Sequence, residues 1–301
     1  MAVYNDITET IGETPIVRLN KLPVEGTKVY VKPERGNPGG SVKDRAVLSM
    51  IDDAVAKGLL KEGGTIIEPT SGNTGIAIAM ISAVRGYKAV IVMPDSMSVE
   101  RRQAIRAYGA EIVLTPGSEG MNGAVKKAEE IAKETGGWIC GQFDNPMNNA
   151  AHRLGTGKEI LRDLPDVDYV FSGFGTAGTA CGIAMAFKDA GSKAKVIGVE
   201  PAESALITTG QAGPHKIQGI GANFIPGNLD KDLLYDVVTV KGDDAIRTTV
   251  SMARSEGIFC GISSGAAVFA ALRMAKKEPD KVILAILPDG GEKYMSTGIF
   301  D

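Results

Sequence analysis

The chain has 301 residues, 44% of them hydrophobic, and a formal net charge of −3. This is enough for one large or two medium-sized domains with hydrophobic cores. No basic patch of the kind that binds nucleic acid is present, and apolar runs such as 282–287 are too short to span a bilayer. The N-terminal residues lack a basic segment followed by an apolar stretch, so we expect a cytoplasmic protein.

Cysteine and histidine are few and scattered. Cys140, Cys181 and Cys260 each lie in apolar surroundings, which indicates reduced core residues rather than a disulfide framework. His152 and His215 share no ligand spacing with a cysteine. We therefore expect no metal site.

Short apolar runs alternate with helical stretches along nearly the whole chain. They predict strands at 29–33, 65–68, 89–93, 111–114, 169–172, 196–199, 237–240 and 282–287. Helical periodicity separates many of them, for example at 122–134, 243–256 and 264–277. This alternation predicts an α/β protein with largely parallel twisted sheets flanked by helices.

Lys43 follows a turn-forming run of Asn, Pro and two Gly at 37–40. Ser41 suits an N-cap, Asp44 occupies the position of a capping box, and an apolar stripe then predicts an amphipathic helix. Lys43 would thus lie in the first turn of that helix. The helix dipole disfavours a cation there, which lowers the pKa of the amine and favours its neutral, nucleophilic form.

A first glycine-rich segment, residues 68–75, follows a predicted strand and opens a predicted helix. Thr70, Ser71, Asn73 and Thr74 give it four hydroxyl or amide side chains in five positions, more than capping requires. Because the N–H groups at a helix N-terminus bind anions, we predict that this segment holds a carboxylate.

A second glycine-rich segment, residues 173–179, has the G-x-G-x-x-G pattern of dinucleotide-binding proteins. Glu200 even closes the next strand, where a ribose-binding acid is expected. Thr176 and Thr179, however, suit a single phosphate monoester held by hydroxyls and amides. The residues alone leave both a nicotinamide cofactor and a phosphate monoester open.

A third segment, residues 261–265, matches the G-x-S-x-G pattern of hydrolases around Ser263. Those hydrolases place the triad histidine after the serine, whereas both histidines precede Ser263. The hydrolase interpretation therefore fails. Ser263 is left as a hydroxyl at a helix N-terminus, available to a ligand.

One cofactor suits Lys43 and the three glycine-rich segments together. Pyridoxal phosphate offers an aldehyde for a lysine, a phosphate for a glycine-rich loop and a ring nitrogen that needs a partner. Further matching motifs lie at 11–15, 93–94, 100–102, 216–221 and 294–297. The chain resembles the fold-type II pyridoxal-phosphate enzymes, with a fold like the tryptophan synthase β-subunit. It most resembles the cysteine synthases (O-acetylserine sulfhydrylases), and also the cystathionine β-synthases.

The resemblance implies a role for each candidate residue. Lys43 would be the catalytic residue, which bonds the cofactor's aldehyde and moves the α-proton. Cofactor contacts would come from Lys43, Asn73, Gly175, Thr176, Ala177, Gly178, Thr179 and Ser263. Substrate contacts would come from Thr70, Ser71, Gly72, Thr74, Gln142 and Gly219.

The resemblance also implies the reaction, β-replacement on O-acetylserine through an α-aminoacrylate intermediate, in which sulfide yields L-cysteine and acetate. The alternative has serine or cysteine as donor and homocysteine or cysteine as acceptor, giving cystathionine or lanthionine with release of hydrogen sulfide. A homodimer is implied, together with a docking site for the C-terminal tail of serine acetyltransferase. We expect a smaller domain at 36–145 and a larger one at 1–35 plus 146–301.

The chain departs from the family pattern at three positions. Ala177 replaces a usual glycine, and we expect ordinary helical angles there. Gly155 stands where threonine is common. Asn223 stands where glycine is common, near the family's second-substrate entrance, so its amide could change which nucleophile enters.

Overall fold

The computed structural model describes residues 3–70 and 72–301. Its strands are β1 (Val17–Arg18), β2 (Lys28–Pro33), β3 (Thr65–Pro69), β4 (Lys88–Pro94), β5 (Glu111–Thr115), β6 (Trp138–Ile139), β7 (Tyr169–Gly173), β8 (Lys195–Pro201), β9 (Asp236–Val240) and β10 (Val282–Leu287). Its α-helices are α1 (Lys43–Ala56), α2 (Asn73–Arg85), α3 (Val99–Ala107), α4 (Gly120–Thr135), α5 (Met147–Ala151), α6 (Gly157–Asp163), α7 (Gly178–Asp189), α8 (Leu206–Thr209), α9 (Gly242–Ser251) and α10 (Ile262–Lys277).

The strands form two sheets. One has the order β1-β2-β10-β7-β8-β9 and the other the order β5-β4-β3-β6. Every pairing is parallel except that of β1 with β2. The predicted α/β class with largely parallel sheets is confirmed, as are the predicted strands. The two-residue strands β1 and β6 were not predicted, because so short a run carries no periodicity.

Apolar stripes of the helices cover both sheets. Val47, Met50 and Ile51 of α1 are fully buried in one core cluster with strands of the four-stranded sheet. Burying one such side chain contributes about 1.5–3 kcal/mol. On the six-stranded sheet, the small residues of α10 pack closely on the strands. Lys43 and Ser263 therefore stand on helices with rigid supports.

A buried ion-pair cluster anchors α1 two residues beyond Lys43. Arg45 Nε lies 2.7 Å from Glu34 Oε2, and Arg45 Nη2 donates to Glu159 Oε2 at 2.8 Å. Lys32 Nζ lies 2.7 Å from the same Glu159 oxygen. Removing one partner of such a buried pair costs about 3–5 kcal/mol. A Cβ at Gly155 would lie 3.4 Å from Arg45 Nη1, so a larger side chain there would press on this cluster.

Residues 3–70 and 72–301 contain no helix that is both long and apolar enough to cross a membrane. In the same ranges, no group of three or more His, Cys, Asp or Glu is arranged to hold a metal ion. The three cysteines are free and buried, which confirms their prediction as core residues.

Candidate active site

The turn before Lys43 is fixed by the helix that follows it. Lys43 is the first residue of α1, as predicted, but Val42 rather than Ser41 is the N-cap. The predicted capping box is wrong, because the turn folds back onto the helix. The Asp44 carboxylate accepts instead from the Gly39 N–H at 2.6 Å. Ser41 Oγ accepts from the Lys43 N–H at 3.2 Å, so both residues hold the backbone around the lysine.

The Lys43 amine points toward the second glycine-rich segment. Its Nζ donates to Thr176 Oγ1 at 3.2 Å. Burial lowers the pKa of Lys43 to about 8, against the opposing effect of the Asp289 and Glu68 carboxylates. The predicted direction of the pKa shift is confirmed, although burial is its largest cause. Near pH 8 about half of such an amine population is neutral.

The carboxylate loop, residues 70–74, connects β3 to α2. Ser71 lies outside the described residues. Thr70, Thr74 and Gln142 are buried, and the Thr74 hydroxyl donates to Gln142 Oε1 at 2.6 Å. Gln142 comes close because β6, which precedes it, pairs in parallel with β3. Gly72 is the N-cap of α2.

Glu68 fixes the backbone that carries Gln142. Its carboxylate accepts from the Gly141 N–H at 2.9 Å and from the Gln142 N–H at 3.4 Å. Burial raises the pKa of Glu68 to about 7, although these backbone bonds and Lys43 act in the opposite direction. Glu68 thereby sets the position of Gln142 beside Thr74.

Asn73, the first residue of α2, is held from the large sheet. Its Nδ2 donates to Asp289 Oδ2 at 2.8 Å. The Tyr294 hydroxyl donates to the same oxygen at 2.8 Å. Among the described residues, the buried Asn73 Oδ1 has no hydrogen-bond partner, so the amide has capacity left for a ligand.

The phosphate loop, residues 173–179, connects β7 to α7 and has a crowded backbone. A Cβ at Gly175 would lie 2.8 Å from the Gly219 carbonyl oxygen, and a Cβ at Gly178 would collide with the Asn148 side-chain amide. Thr176 Oγ1 also accepts from Asn148 Nδ2 at 3.0 Å. The N-terminal N–H groups of a helix bind anions, so this tight loop can bring backbone donors close to a phosphate.

Ala177 adopts the conformation usually left to glycine. Its φ is 64°, and it is the N-cap of α7. The expectation of ordinary helical angles is therefore wrong. The left-handed region costs an alanine about 1–2 kcal/mol. Its buried methyl packs with Phe174 and Cys181, which offsets part of that cost.

Glu200 is not free to bind a ribose. Its carboxylate accepts from the Ile207 N–H at 3.0 Å, and from the Thr208 N–H and hydroxyl at 2.9 and 2.7 Å. It therefore satisfies the first backbone donors of α8. This is a structural role, and the nicotinamide alternative loses the residue on which it depended.

Ser263 lies in the first turn of α10 and is buried. A Cβ at Gly219 would lie 3.9 Å from Ser263 Oγ, so both residues belong to one wall of the site. Neither histidine serves as a base for this serine. His152 Nε2 is paired with Thr179 Oγ1 at 3.2 Å, and His215 Nε2 with the Gly221 carbonyl oxygen at 3.0 Å.

Comparisons with known proteins identify the family. The family model "pyridoxal-phosphate dependent enzyme" matches residues 7–289. The chain belongs to this enzyme family. It is 49% identical to the O-ureido-L-serine synthase of Streptomyces lavendulae, over 100% of this chain and 94% of that protein. It is 46% identical to a cysteine synthase of Staphylococcus aureus, over 98% and 97%.

A solved structure shows the same fold. The crystal structure of cysteine synthase from Entamoeba histolytica matches with a TM-score of 0.95 and 42% identity, covering 99% of this chain and 91% of that one. The expected fold type II, the cysteine synthase family and the cofactor are thus confirmed. This is a pyridoxal-phosphate enzyme of the cysteine synthase family.

The residues present fit pyridoxal phosphate. Lys43 supplies an amine for the aldehyde, and the phosphate loop supplies a backbone cradle too tight for side chains at Gly175 and Gly178. Asn73 keeps an unpartnered buried oxygen and one N–H. Ser263 supplies a neutral hydroxyl, which by the family resemblance would serve the ring nitrogen. We therefore assign these residues, with Thr176, Ala177 and Thr179, as the ones that would hold the cofactor.

Hydrogen bonds connect four of the predicted residues. Lys43 bonds Thr176, and Thr74 bonds Gln142. The Gln142 carbonyl accepts from Asn148 Nδ2 at 2.9 Å, and this amide also donates to Thr176. The two loops and the lysine thus share one hydrogen-bond network.

Sequence reasoning missed two residues of the site. Asp289 comes two residues after the predicted strand 282–287. Polar residues just beyond the carboxyl ends of parallel strands line the ligand site in α/β folds, and that signal could have found it. Asn148 lies within a short helix whose local sequence carries no comparable signal.

Proposed function

We propose that this enzyme catalyses β-replacement on O-acetylserine, with sulfide giving L-cysteine and acetate. The observation that supports this most is the position of Lys43, whose amine bonds the phosphate loop and has a pKa of about 8. Such an amine can accept and return a proton near neutral pH. A binding protein without catalysis would have no need of it.

When bound, pyridoxal phosphate withdraws electrons from the α-carbon of an amino acid, which makes the α-proton acidic. Lys43 Nζ would take that proton while acetate leaves with the electron pair of the Cβ–O bond. Sulfide would then form the new Cβ–S bond, and Lys43 Nζ would return the proton to the α-carbon. The neutral Ser263 hydroxyl does not force protonation of the ring, so a long-lived carbanion is disfavoured relative to loss of the β-substituent.

We propose that the donor's carboxylate binds at the carboxylate loop. Thr70, Ser71, Gly72 and Thr74, with Gln142 and Gly219, are its proposed contacts. The Thr74 hydroxyl donates to Gln142 Oε1 at 2.6 Å, which leaves the Gln142 N–H groups for one carboxylate oxygen. On binding, the Thr74 O–H would turn from Oε1 to the other carboxylate oxygen. Binding there would fix the β-substituent with respect to Lys43.

Carboxylate binding would also close the smaller domain, proposed as residues 36–145, over the larger one, proposed as 1–35 plus 146–301. Contacts at α3 already join these parts. The Glu100 carboxylate accepts from the Ser296 N–H at 2.8 Å, and Arg101 Nη1 donates to Gln218 Oε1 at 2.9 Å. Closure would exclude water from the reacting atoms.

A second nucleophile is favoured by the 49% identity to the O-ureido-L-serine synthase. Formation of O-ureidoserine by β-replacement requires hydroxyurea oxygen to attack the β-carbon in place of sulfide. Asn223, the departure at the proposed second-substrate entrance, has a φ of 61°, which explains why glycine is common there. Its Oδ1 accepts from the Ser204 hydroxyl at 2.6 Å, so the amide is held in place.

The experiment is a matrix of steady-state assays on the purified enzyme. O-acetylserine, serine and cysteine serve as donors, and sulfide, hydroxyurea, homocysteine and cysteine as acceptors. The largest kcat/KM for O-acetylserine with sulfide would support the proposal. A larger value with hydroxyurea would move the assignment to O-ureidoserine, and one with homocysteine or cysteine to cystathionine or lanthionine synthesis. No turnover with any pair would refute β-replacement.

We also propose a homodimer that binds the C-terminal tail of serine acetyltransferase, both from the family resemblance. Sedimentation analysis would test the first. Titration with a peptide carrying that tail would test the second, and an O-acetylserine assay unaffected by saturating peptide would reject it.

A further inference from the structure

Asp289 is a buried carboxylate to which the proposed mechanism gives no role. Its side chain is only 1% exposed. Both of its hydrogen bonds fall on Oδ2, from Asn73 Nδ2 and from the Tyr294 hydroxyl, each at 2.8 Å. Among residues 3–70 and 72–301, Oδ1 has no hydrogen-bond partner. A buried carboxylate costs several kcal/mol in desolvation, so its presence requires an explanation.

The backbone places Asp289 between the segments that carry Lys43 and Ser263. It forms an isolated β-bridge with Ser41, two residues before the lysine. Its carbonyl oxygen accepts from the Gly261 N–H at 3.2 Å, two residues before the serine. A Cβ at Gly261 would collide with Asp289 Oδ1, so the side chain occupies a fixed space inside the site.

An ionised carboxylate only accepts hydrogen bonds. The Asn73 amide must therefore turn its nitrogen, and not its oxygen, toward Asp289. One N–H is used in that bond, and the other N–H and Oδ1 are left for a ligand. Tyr294 keeps the carboxylate in place through its own hydroxyl, and the Arg101 guanidinium lies over the Tyr294 ring, 5.1 Å from its centroid.

We propose that Asp289 is a positioning residue, which with Tyr294 fixes the orientation of the Asn73 amide so that one N–H is presented to the cofactor's phenolic oxygen. The inference rests on the proposed function as a pyridoxal-phosphate enzyme and on the assignment of Asn73 to the cofactor, whose phenolic oxygen the family resemblance implies as the partner of this amide. It does not depend on which donor or nucleophile the enzyme uses. Its test therefore needs no substrate.

The experiment titrates apo-protein with pyridoxal phosphate and follows affinity and absorption. Asp289→Asn lets residue 289 donate to Asn73 and frees the amide to flip. We expect its affinity for the cofactor to fall by about 10-fold, the effect of one lost charge-assisted bond. The yellow phenolate form should decrease relative to the near-ultraviolet form with a protonated phenol. Asp168→Asn, at the opposite end of β10, is the matched control, because its carboxylate accepts from the Val282 N–H far from Asn73.

A double-mutant cycle separates positioning from a structural role. If Asp289 acts through Asn73, adding Asp289→Asn to Asn73→Ala should change affinity by less than about 2-fold, since coupled residues are not additive. Full multiplication of the two effects, or wild-type affinity and absorption in Asp289→Asn, would overturn the proposal. If Asp289→Asn does not fold, Tyr294→Phe replaces it in the cycle. We expect Tyr294→Phe to lower the cofactor affinity by about 3-fold in the wild-type background and to have no further effect in Asn73→Ala. The same two outcomes in that variant would overturn the proposal.

Discussion

The carboxylate loop and the phosphate loop have the same topology but differ in the hydrogen-bond partners of their side chains. Each leaves the carboxyl end of a parallel strand and opens a helix, β3 to α2 in one case and β7 to α7 in the other. In the phosphate loop, Thr176 and Thr179 are both bonded to other side chains. In the carboxylate loop, Thr74 is likewise bonded to Gln142, whereas Asn73, the residue of this loop that would hold the cofactor, keeps a buried oxygen without a partner among the described residues.

The difference matches two binding tasks. A cofactor that stays bound through many turnovers is best held by a loop that is already rigid, because little order is lost when it binds. A substrate that binds and leaves in each turnover needs a loop whose contacts are completed only when it is present. We propose this division for the two loops: the phosphate loop would stay as it is when the cofactor binds, and Thr74 and Gln142 would exchange their mutual bond for the donor's carboxylate.

Lys43, which bonds the phosphate loop, is the residue whose loss should have the largest effect. Lys43→Ala should lower kcat by at least about 10³-fold, because general acid–base catalysis alone contributes 10²–10⁴-fold. Steady-state assays with O-acetylserine and sulfide would measure it. Lys57→Ala is the control, since that lysine ends the same helix region with a side chain that is 58% exposed. Turnover retained in Lys43→Ala would contradict the mechanism.

Removing a hydroxyl from the phosphate loop should lower the affinity for the cofactor and leave the KM for the donor unchanged. Thr179→Val should weaken pyridoxal phosphate binding by about 10- to 100-fold, since a hydrogen bond to a charged group contributes about 1.5–3 kcal/mol. At saturating cofactor, the KM for the donor should stay within about 2-fold. Equilibrium titration and initial rates measure the two effects. Thr179→Ser keeps the hydroxyl and should restore affinity; failure of this rescue would mean that the methyl group matters more.

The matching change in the carboxylate loop should raise the KM for the donor and leave the cofactor affinity unchanged. Thr74→Val removes a carboxylate donor and leaves Gln142 Oε1 without its 2.6 Å bond. The KM for the donor should rise about 10-fold, with cofactor affinity unchanged. Thr74→Ser provides the control with a hydroxyl. If Thr74→Val and Thr179→Val changed the same parameter, the division of labour between the loops would be wrong.

The fold was predictable from sequence because buried parallel strands such as β10 are continuous apolar runs bounded by turn residues. Much of the site was predictable for a local reason. Lys43, Thr74 and Ser263 lie in motifs whose strand–loop–helix context is visible within about ten residues. The two-residue strands carried no such signal, and their existence depends on neighbours distant in sequence.

The features that the sequence did not predict correctly depend on backbone conformation or on contacts between residues distant in sequence. The place of Asp289 just after β10 marks it as a candidate site residue, but no local pattern gives its partner Asn73, which lies 216 positions away in sequence. The capping-box pattern favours Ser41 as a cap because it takes no account of the backbone turn at Gly39. Ordinary angles are expected at Ala177 because alanine prefers them, whereas the crowded loop imposes a φ of 64°.

The pH response of Lys43 tests how burial and the nearby carboxylates set the lysine's charge. In apo-protein, labelling of Lys43 by acetic anhydride should rise with a midpoint near pH 8, below the ordinary lysine value of about 10.4. Asp289→Asn should move the midpoint lower, because the carboxylate raises the lysine's pKa. Peptide mass spectrometry reads the profile, and the exposed Lys57 corrects for reagent loss. A midpoint that rose in Asp289→Asn would show that the carboxylate acts in the opposite sense.

Relieving the backbone strain at Ala177, the N-cap of α7, should have the smallest effect, a small change in the free energy of unfolding. Ala177→Gly loses a buried methyl, about 0.8 kcal/mol, and adds about 0.5–1 kcal/mol of backbone entropy loss on folding. It also releases about 1–2 kcal/mol of left-handed strain, so the free energy of unfolding should change by less than about 1 kcal/mol. Ala180→Gly, fully buried inside α7, has no strain to release and should cost about 2 kcal/mol. Denaturant unfolding of both apo-proteins compares them. Equal destabilisation would mean that Ala177 is not strained, and that the phosphate loop reaches its rigid form without storing energy at this residue.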